Sequence, residues 1–254
     1  MRIVIKVGSH VLAENGGLAT DRIENLSNLL AKLNKENEVI LVSSGAVAAG
    51  YTKLPLDRSK IGNKQAIATV GQPYLMSVYK NIFKKYDILV AQMLLGADDF
   101  DSLRRTKHAK EAIEVLLENG VIPIINENDV TTTQELVFGD NDQLSAHVSY
   151  FFDADLLVIL SDIDAYYDDD PRINSDAKPY KLVNVIDENE LKIDCEPNGE
   201  FATGGIVTKL KAASFLLERD KKMFLASGFD LSVVEKFLLE NKQIGGTLFQ
   251  RGKK

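Results

Sequence analysis

IINENDVTTTQELVFGDNDQLS, residues Ile124–Ser145, contains the strongest structural signal in this sequence. It begins inside an apolar run, Val121–Ile125, which is typical of a strand buried in a parallel sheet. Two polar clusters follow, Asn126–Asp129 and Gly139–Asp142, separated by a short alternating segment. Because buried carboxylates are costly without partners, these clusters indicate a site for a polar ligand held with metal or cationic help. The alternative interpretation is two turns, which also favour Asn, Asp and Gly.

Strand and helix patterns alternate on both sides of this stretch. The predicted strands are Arg2–Val7, Val39–Val42, Ile88–Leu95, Val121–Ile125, Asp155–Leu160 and Lys222–Ala226, with an edge strand at Thr247–Phe249. The predicted helices are Asp21–Lys35, Ser59–Lys85, Ser102–Asn119, Asp142–Phe152, Thr203–Arg219 and Leu231–Leu239. This alternation predicts an α/β fold with a mostly parallel sheet covered on both faces.

The sequence also predicts one helix break, one short β-excursion and one exposed loop. Gly71-Gln72-Pro73 is expected to break the long helix that contains it, because proline removes a helical hydrogen bond. Thr131–Phe138 has the pattern of a short polar-edged β-excursion, and Asp168–Lys181, with two prolines, is expected to be an exposed loop.

Composition narrows the class of protein. Among 254 residues, 45% are hydrophobic and 26% charged, which is ordinary for a soluble globular protein. The net charge of −7 argues against a general nucleic-acid binder. A single cysteine, Cys195, excludes an intrachain disulfide and a cysteine-cluster metal site, and fits a cytoplasmic location. The N-terminus has the pattern of a first strand, not of a signal peptide, and no apolar run approaches the ~20 residues of a membrane span.

Ligands of such sheets bind beyond the carboxyl ends of the strands. The residues in that position are Lys6–Ser9, Ser43–Gly45, Asn126–Asp129 and Ser161-Asp162, together with the cluster Gly139–Asp142. The small residues among them let backbone N–H groups approach a phosphate, although tight strand–helix packing would also explain them. The sequence has neither a Walker A motif nor a GxGxxG fingerprint, so a P-loop NTPase is excluded and a dinucleotide dehydrogenase loses its best support.

Two lysines occupy informative positions. Lys6 lies inside an apolar strand, where it must find an anion or extend out of the sheet as a snorkelling edge residue. In Thr203–Lys209, TGGIVTK, two glycines open the start of a helix, and Lys209 can point back to an anion bound there. A capped surface helix with a solvated lysine is the alternative. Together the clusters and lysines suit phosphoryl transfer, which needs cations and precise positioning. No role is assigned to the histidines His10, His108 and His147.

Seven segments together resemble the glutamate 5-kinase family of the amino acid kinase superfamily. They are KVGSHVL (Lys6–Leu12), VSSGAVAAG (Val42–Gly50), QMLL (Gln92–Leu95), INENDV (Ile125–Val130), GDNDQLSA (Gly139–Ala146), LSDIDAYYDDDPR (Leu160–Arg172) and TGGIVTKLKAA (Thr203–Ala213). The resemblance runs from the first strand to GTLF at Gly246–Phe249. It implies a three-layer αβα sandwich formed by one domain, residues 1–254. The N-terminal half would form mainly the glutamate site, and the C-terminal half mainly the nucleotide site.

The implied activity is transfer of the γ-phosphate of ATP, used with Mg2+, to the side-chain carboxylate of L-glutamate, in the first step of proline biosynthesis. By position, Lys6 and Lys209 would neutralise the transferring group and Asp142 would orient both lysines. The implied glutamate-binding residues are Ser44, Asp129, Asn141 and Asp140, with Asp129 at the α-ammonium and Asp140 ordering the glutamate loop. The implied nucleotide-binding residues are Lys6, Gly8, Ser161, Asp162, Thr203, Gly204, Gly205, Ile206, Val207, Thr208 and Lys209. No metal-ligating residue is predicted.

The resemblance also implies partners and leaves alternatives. Many bacterial members continue into a PUA domain, which we expect this chain to lack, because the sequence ends shortly after GTLF. A homo-oligomer (dimer or tetramer) and a hand-off of product to glutamyl phosphate reductase are implied, with no nucleic-acid or membrane partner. Acetylglutamate and carbamate kinases are related alternatives, but an acetylated substrate has no ammonium to meet the INEND cluster. Uridylate and isoprenoid-phosphate kinases would need more basic residues at the acceptor site. A non-catalytic amino-acid or nucleotide sensor is the alternative from another class.

Overall fold

The computed structural model describes residues 1–131, 141–191 and 205–252. Within these ranges the strands are β1 Arg2–Val7, β2 Ala13–Glu14, β3 Gly17–Leu18, β4 Glu38–Ser43, β5 Val90–Leu95, β6 Ile122–Glu127, β7 Leu156–Ser161, β8 Leu182–Val183, β9 Met223–Ser227 and β10 Thr247–Phe249. The helices are α1 Ser9–Leu12, α2 Thr20–Leu33, α3 Ala46–Tyr51, α4 Ile61–Phe83, α5 Ala97–Asp101, α6 Leu103–Glu118, α7 Asn141–Phe151, α8 Glu188–Leu191, α9 Gly205–Leu217 and α10 Ser232–Glu240. None of these helices is long and apolar enough to cross a membrane.

Eight strands form one sheet in the order β5-β6-β4-β1-β7-β9-β10-β8. All neighbours run parallel except β9 and β10, which are antiparallel. Because the strands in the middle are joined through helices, the sheet is covered on both faces. The predicted mostly parallel sheet in an αβα sandwich is therefore confirmed.

Alternate residues of β1 serve two different cores. Ile3 and Ile5 pack in the core that includes residues of α2, α4 and α10. Val4 packs in the other core, together with residues of α6, α7 and α9. Successive side chains of a strand point to opposite faces, so Lys6 lies on the same face as Val4. This alternation directs the lysine toward α7 and α9.

The predicted break at Gly71-Gln72-Pro73 is wrong, because α4 runs unbroken through Pro73. Close packing on α3 accounts for the difference. A Cβ atom added to Gly71 would lie 1.8 Å from the Ala46 carbonyl oxygen, and one added to Gly50 would lie 1.9 Å from the Ile67 carbonyl oxygen. The two glycines therefore let the helix backbones touch, and this tertiary contact holds α4 through the proline.

Other differences concern the sheet edge and the loops. Thr247–Phe249 is not an edge strand, since it pairs with β9 on one side and with β8 on the other. The two-residue β8 is too short to produce a sequence pattern. The predicted loop Asp168–Lys181 is mostly exposed, but Asp170 is buried and Pro179 forms a bridge with Tyr167. The predicted β-excursion falls on residues 132–138, outside the described residues.

Candidate active site

Two lysines share one carboxylate at the carboxyl end of the sheet. The Lys6 Nζ atom lies 2.6 Å from Asp142 Oδ1, and the Lys209 Nζ atom lies 3.1 Å from Asp142 Oδ2. Lys6 and Asp142 are 0% exposed and Lys209 is 2% exposed. The three residues predicted as catalytic therefore meet in one buried cluster.

Three separate elements bring these charges together. Lys6 comes from β1, Asp142 from the first turn of α7, and Lys209 from α9. The Lys209 ammonium also donates to the Gly205 carbonyl oxygen at 2.8 Å, which turns its side chain back to the start of α9. Thr208 donates its hydroxyl hydrogen to Asp142 Oδ2 at 2.9 Å. The alternatives of a snorkelling Lys6 and a solvated Lys209 are thereby excluded.

The cluster is suited to an anion. Burial alone would raise the pKa of Asp142, but the ammonium groups of Lys6 and Lys209 and the bonds from Lys6 and Thr208 more than offset burial and hold that pKa below its ordinary value. Asp142 is therefore ionised at neutral pH. Among the described residues, this cluster brings two ammonium groups to one carboxylate, a composition that suits a phosphoryl group.

The predicted nucleotide-side residues at the ends of β1 and β7 lie beside this cluster. Gly8 donates its N–H to the Leu160 carbonyl oxygen at 3.1 Å. A Cβ atom added to Gly8 would lie 3.7 Å from Lys6 Nζ, so glycine keeps space open next to the ammonium. Ser161 is buried and donates its hydroxyl hydrogen to Asp162 Oδ1 at 2.9 Å.

The first turn of α9 supplies the other predicted nucleotide residues. The helix begins with Gly205, Ile206, Val207 and Thr208. The first N–H groups of a helix have no partner within it and can bind a ligand. Val207 is buried, so only its backbone could serve a ligand. Thr203 and Gly204 lie outside the described residues.

A cavity of about 550 Å³ opens beside the lysine cluster. Three predicted glutamate-binding residues, Ser44, Asp129 and Asn141, line it. Asn141 directly precedes Asp142 at the start of α7, so the cavity and the lysine cluster are adjacent. Asp140 lies outside the described residues.

Hydrogen bonds fix the floor of this cavity. Asn141 Nδ2 donates to Ser44 Oγ at 3.0 Å and to Asn126 Oδ1 at 2.8 Å. Ser44 follows β4, and the left-handed φ of +106° at Gly45 turns the chain into α3. Ser43 Oγ and the hydroxyl of buried Tyr79 are 2.8 Å apart, which supports the same turn from α4.

Asp129 stands on the wall of the cavity and is half-buried. Burial raises the pKa of Asp129, and the positive charge of Lys64 partly opposes that rise. Lys64 and Arg58 line the same cavity. The cavity therefore presents a carboxylate and cations to a ligand that carries charges of both signs.

Sequence reasoning missed several residues at the site. One of them is Gln72 on α4, which accepts a hydrogen bond from Asn126. Its burial could have been predicted from the helical pattern, because Leu75 and Tyr79 on the same helix face are apolar or aromatic. His10, to which no role was assigned, lines the cavity with Nδ1 3.2 Å from Asp162 Oδ2. By contrast, His147 bonds to the Gln143 carbonyl oxygen and stacks on Phe215, as a structural histidine does.

The carboxylates and histidines near the site bear on how a divalent metal could bind. Within the described ranges, no group of three or more His, Cys, Asp or Glu side chains could hold a metal ion. Mg2+ commonly binds through substrate phosphates and waters with few protein ligands. The site is therefore compatible with Mg2+ that arrives on a nucleotide.

The amino acid kinase family profile matches residues 1–227 of this chain. Glutamate 5-kinase of Wolinella succinogenes is 55% identical over 256 residues, which cover 99% of this chain and 98% of that protein. Glutamate 5-kinase of Leishmania donovani is 55% identical over 248 residues, with 98% and 94% covered.

Solved structures agree on the fold. An isopentenyl phosphate kinase matches with a TM-score of 0.67 at 16% identity, over 98% of this chain and 100% of that chain. The UMP kinase of Bacillus anthracis matches with a TM-score of 0.65 at 16% identity, over 99% and 96%. At these identities the likeness shows the fold alone.

Proposed function

Because the chain belongs to the amino acid kinase family, and within it to the glutamate 5-kinases, we propose that its lysine cluster and cavity hold the two reacting groups. The enzyme phosphorylates the side-chain carboxylate of L-glutamate with ATP, in the first step of proline biosynthesis. The observation that carries the proposal is the pair Lys6 and Lys209 on buried Asp142, next to a cavity lined by Ser44, Asp129 and Asn141.

The reaction needs little covalent work from the protein. A carboxylate oxygen of glutamate attacks the γ-phosphorus of ATP, a P–O bond forms, and the bond to the ADP oxygen breaks. The electron pair of that bond leaves with ADP, and the products are glutamyl 5-phosphate and ADP. Because the acceptor is already ionised, no proton has to be removed and no general base is required.

Lys6 and Lys209 would stabilise the charge on the transferring phosphoryl oxygens. Asp142 holds the two ammonium groups in place before the substrates bind, so little reorganisation is needed during the transfer. Bound Mg2+ would neutralise phosphate charge and would be held mainly by the phosphate oxygens and waters. ATP would be bound by Gly8, Ser161, Asp162, Thr203, Gly204 and the first turn of α9.

In the cavity, Ser44 and Asn141 would hold the side-chain carboxylate of glutamate, and Asp129 would pair with the α-ammonium. Asp140 stays a prediction of the resemblance. The N-terminal half of the chain would thus supply most of the glutamate site, and the C-terminal half most of the nucleotide site, within one domain. A cytoplasmic location and a hand-off of the acyl phosphate to glutamyl phosphate reductase also stay predictions.

The test is ADP release by the purified chain with Mg-ATP and L-glutamate, with hydroxylamine present to trap an acyl phosphate. We expect glutamate-dependent ADP and hydroxamate. A parallel sample receives N-acetylglutamate, which lacks the ammonium group. Activity with the acetylated compound alone would move the assignment to an acetylglutamate kinase and would contradict the role of Asp129. ATP binding without turnover of either compound would favour the sensor alternative.

We also propose that the chain self-associates through the β5 side of the sheet. Within the ranges 1–131, 141–191 and 205–252, β5 pairs with β6 alone, so one side of this edge strand offers backbone groups that a second copy can match. Leu89, just before β5, is 73% exposed and Leu94 within it is 37% exposed. Such an apolar edge is typical of an interface between two-fold related copies.

Light scattering of the protein as it elutes from a size-exclusion column measures its molar mass and tests this proposal. We expect a dimer or a larger even-numbered assembly at micromolar concentration, and a smaller mass for Leu94→Asp. The matched control is Leu239→Asp on α10, an element that is not part of the β5 edge. Leu239 is 45% exposed, so its replacement changes a comparable surface leucine. A monomeric wild-type protein, or the same loss of mass in both variants, would contradict the β5 interface.

A further inference from the structure

A continuous chain of side-chain hydrogen bonds runs behind the cavity. Asn141 Nδ2 donates to Ser44 Oγ and to Asn126 Oδ1 at 3.0 and 2.8 Å. Asn126 Nδ2 donates to Gln72 Oε1 at 2.9 Å, and Gln72 Nε2 approaches Gln92 Oε1 at 3.4 Å. The chain of bonds connects the residue after β4 with α7, β6, α4 and β5.

Four members of this chain are buried. Exposure is 8% for Ser44, 4% for Asn126 and 7% for both Asn141 and Gln72. Ser44, Asn126 and Asn141 line the cavity, whereas Gln72 does not. Buried amides need hydrogen-bond partners, so Gln72 satisfies Asn126 from the side away from the ligand.

The backbone N–H of Glu127 and the side chain of Gln72 together fix the direction of the bonds in this chain. The Glu127 N–H, which can only donate, donates to Asn126 Oδ1 at 2.9 Å. On the opposite side, the Gln72 oxygen accepts from Asn126 Nδ2, so both contacts hold Asn126 Oδ1 toward Asn141, which offers its Nδ2. The same Asn141 nitrogen donates to Ser44, which consequently accepts that bond. Within the described residues, the hydroxyl hydrogen of Ser44 is left for the cavity.

Resting on the proposed function, we propose that Gln72 is a positioning residue that makes Ser44 a hydrogen-bond donor to the acceptor carboxylate. A carboxylate can only accept, so it needs the Ser44 hydrogen and not a lone pair. If the amides turned over, Ser44 would donate to Asn141 and would present oxygen lone pairs to the substrate. Gln72 opposes this reversal because it offers Asn126 an acceptor on the side away from Asn141.

Two substitutions of Gln72 separate positioning from stability. Gln72→Met keeps the volume but removes the acceptor, so we expect the KM for glutamate to rise about tenfold, the scale of one unsatisfied buried amide. The KM for ATP should stay within about twofold. Gln72→Glu keeps the acceptor, and exposed Gln92 can rotate its amide to donate to it. This variant should keep a near-normal KM for glutamate, although its buried charge lowers Tm.

A structural control and a coupled pair of variants complete the experiment. Leu75→Ala on the same helix removes a fully buried apolar side chain, and it should lower Tm while leaving both KM values unchanged. In a Ser44→Ala background, Gln72→Met should add no further rise in the KM for glutamate, because its effect passes through Ser44.

Several results would overturn the positioning role. They are an unchanged KM for glutamate in folded Gln72→Met, an equal rise for glutamate and ATP, and a KM that follows Tm across all variants. An additive effect in the Ser44→Ala background would do the same. If Gln72→Met does not fold, Gln72→Glu decides the question, since a tenfold rise in its KM would contradict the proposal. Failure of the wild-type enzyme to use glutamate would instead contradict the proposed function, before any variant is compared.

Discussion

At the scale of single residues, Lys209 has the most direct consequence for turnover. Its ammonium is buried beside Asp142, and we expect Lys209→Ala to lower kcat by about 10²–10³, the cost of one charge-stabilising donor. The fold should be retained, because Asp142 keeps Lys6 and Thr208 as partners. ADP release at saturating substrates measures the effect.

Lys211→Ala is the matched control, because Lys211 is exposed two residues further along α9. It should leave kcat unchanged. A nearly normal rate in folded Lys209→Ala would remove Lys209 from the site.

Lys64 offers a second test, which concerns the α-carboxylate of glutamate. A zwitterionic amino-acid group fits the opposite charges of Asp129 and Lys64 on the cavity wall. Glutamate α-amide keeps the reacting carboxylate but lacks the α-carboxylate. We expect Lys64→Met to reduce the preference for glutamate over the α-amide by about two- to fivefold, since an exposed pair contributes little.

The ratio of kcat/KM for the two compounds measures this preference. Lys60→Met, which changes an exposed lysine just before α4, should leave the ratio unchanged. If Lys60→Met and Lys64→Met alter the ratio equally, or if Arg58→Met alters it and Lys64→Met does not, the role of Lys64 is wrong.

At the scale of elements, the contact between α3 and α4 depends on glycine. An added Cβ at Gly71 meets the Ala46 carbonyl at 1.8 Å, so Gly71→Ala must push the helices apart. We expect a loss of about 1–3 kcal/mol or more in the free energy of unfolding. Because α3 follows Ser44 and Gly45, the KM for glutamate should rise as well.

Gly62→Ala on the same helix is the matched control. A Cβ atom at Gly62 meets no atom within 4 Å, so alanine should gain up to about 1 kcal/mol from its better helix propensity. Urea unfolding of both variants measures the difference. Equal stabilities would show that α3 and α4 can separate at no cost.

At the scale of the whole molecule, acid should destabilise the fold. The pKa of Glu114 lies below its ordinary value mainly because Arg2 donates a hydrogen bond to it. Burial would raise the pKa of Asp142, but the charges of Lys6 and Lys209 outweigh burial and lower it. Each depressed pKa contributes stability above the unfolded value near 4, and that stability is lost as pH falls through the folded value.

We therefore expect the urea midpoint to fall as the pH drops below about 4. Arg2→Met removes the partner of Glu114, and its midpoint should change less with acid than that of the wild-type protein. Identical pH profiles for the two proteins would exclude Glu114 as a contributor.

The larger features of this molecule could be predicted from sequence, because they leave periodic or strand-end signals. The paired polar clusters indicated a site for a polar ligand held with metal or cationic help, and Lys6 in an apolar strand indicated either an anion partner or a snorkelling edge position. The structure places Lys6, Asp142 and Lys209 together. Features set by tertiary contacts were not predictable. Pro73 suggested a helix break, which packing of α4 on α3 prevents. Thr247–Phe249 was predicted as an edge strand, but it pairs with β8, which has only two residues and leaves no sequence pattern.

The two ammonium groups that meet in the buried lysine cluster have a practical consequence for the protein in solution. We expect small oxyanions such as phosphate and sulfate to bind this centre in the folded chain, whereas the unfolded chain offers no equivalent. By mass action, such ions shift the unfolding equilibrium toward the folded form. We therefore expect the melting temperature of the purified protein to depend on the buffer anion as well as on the sequence.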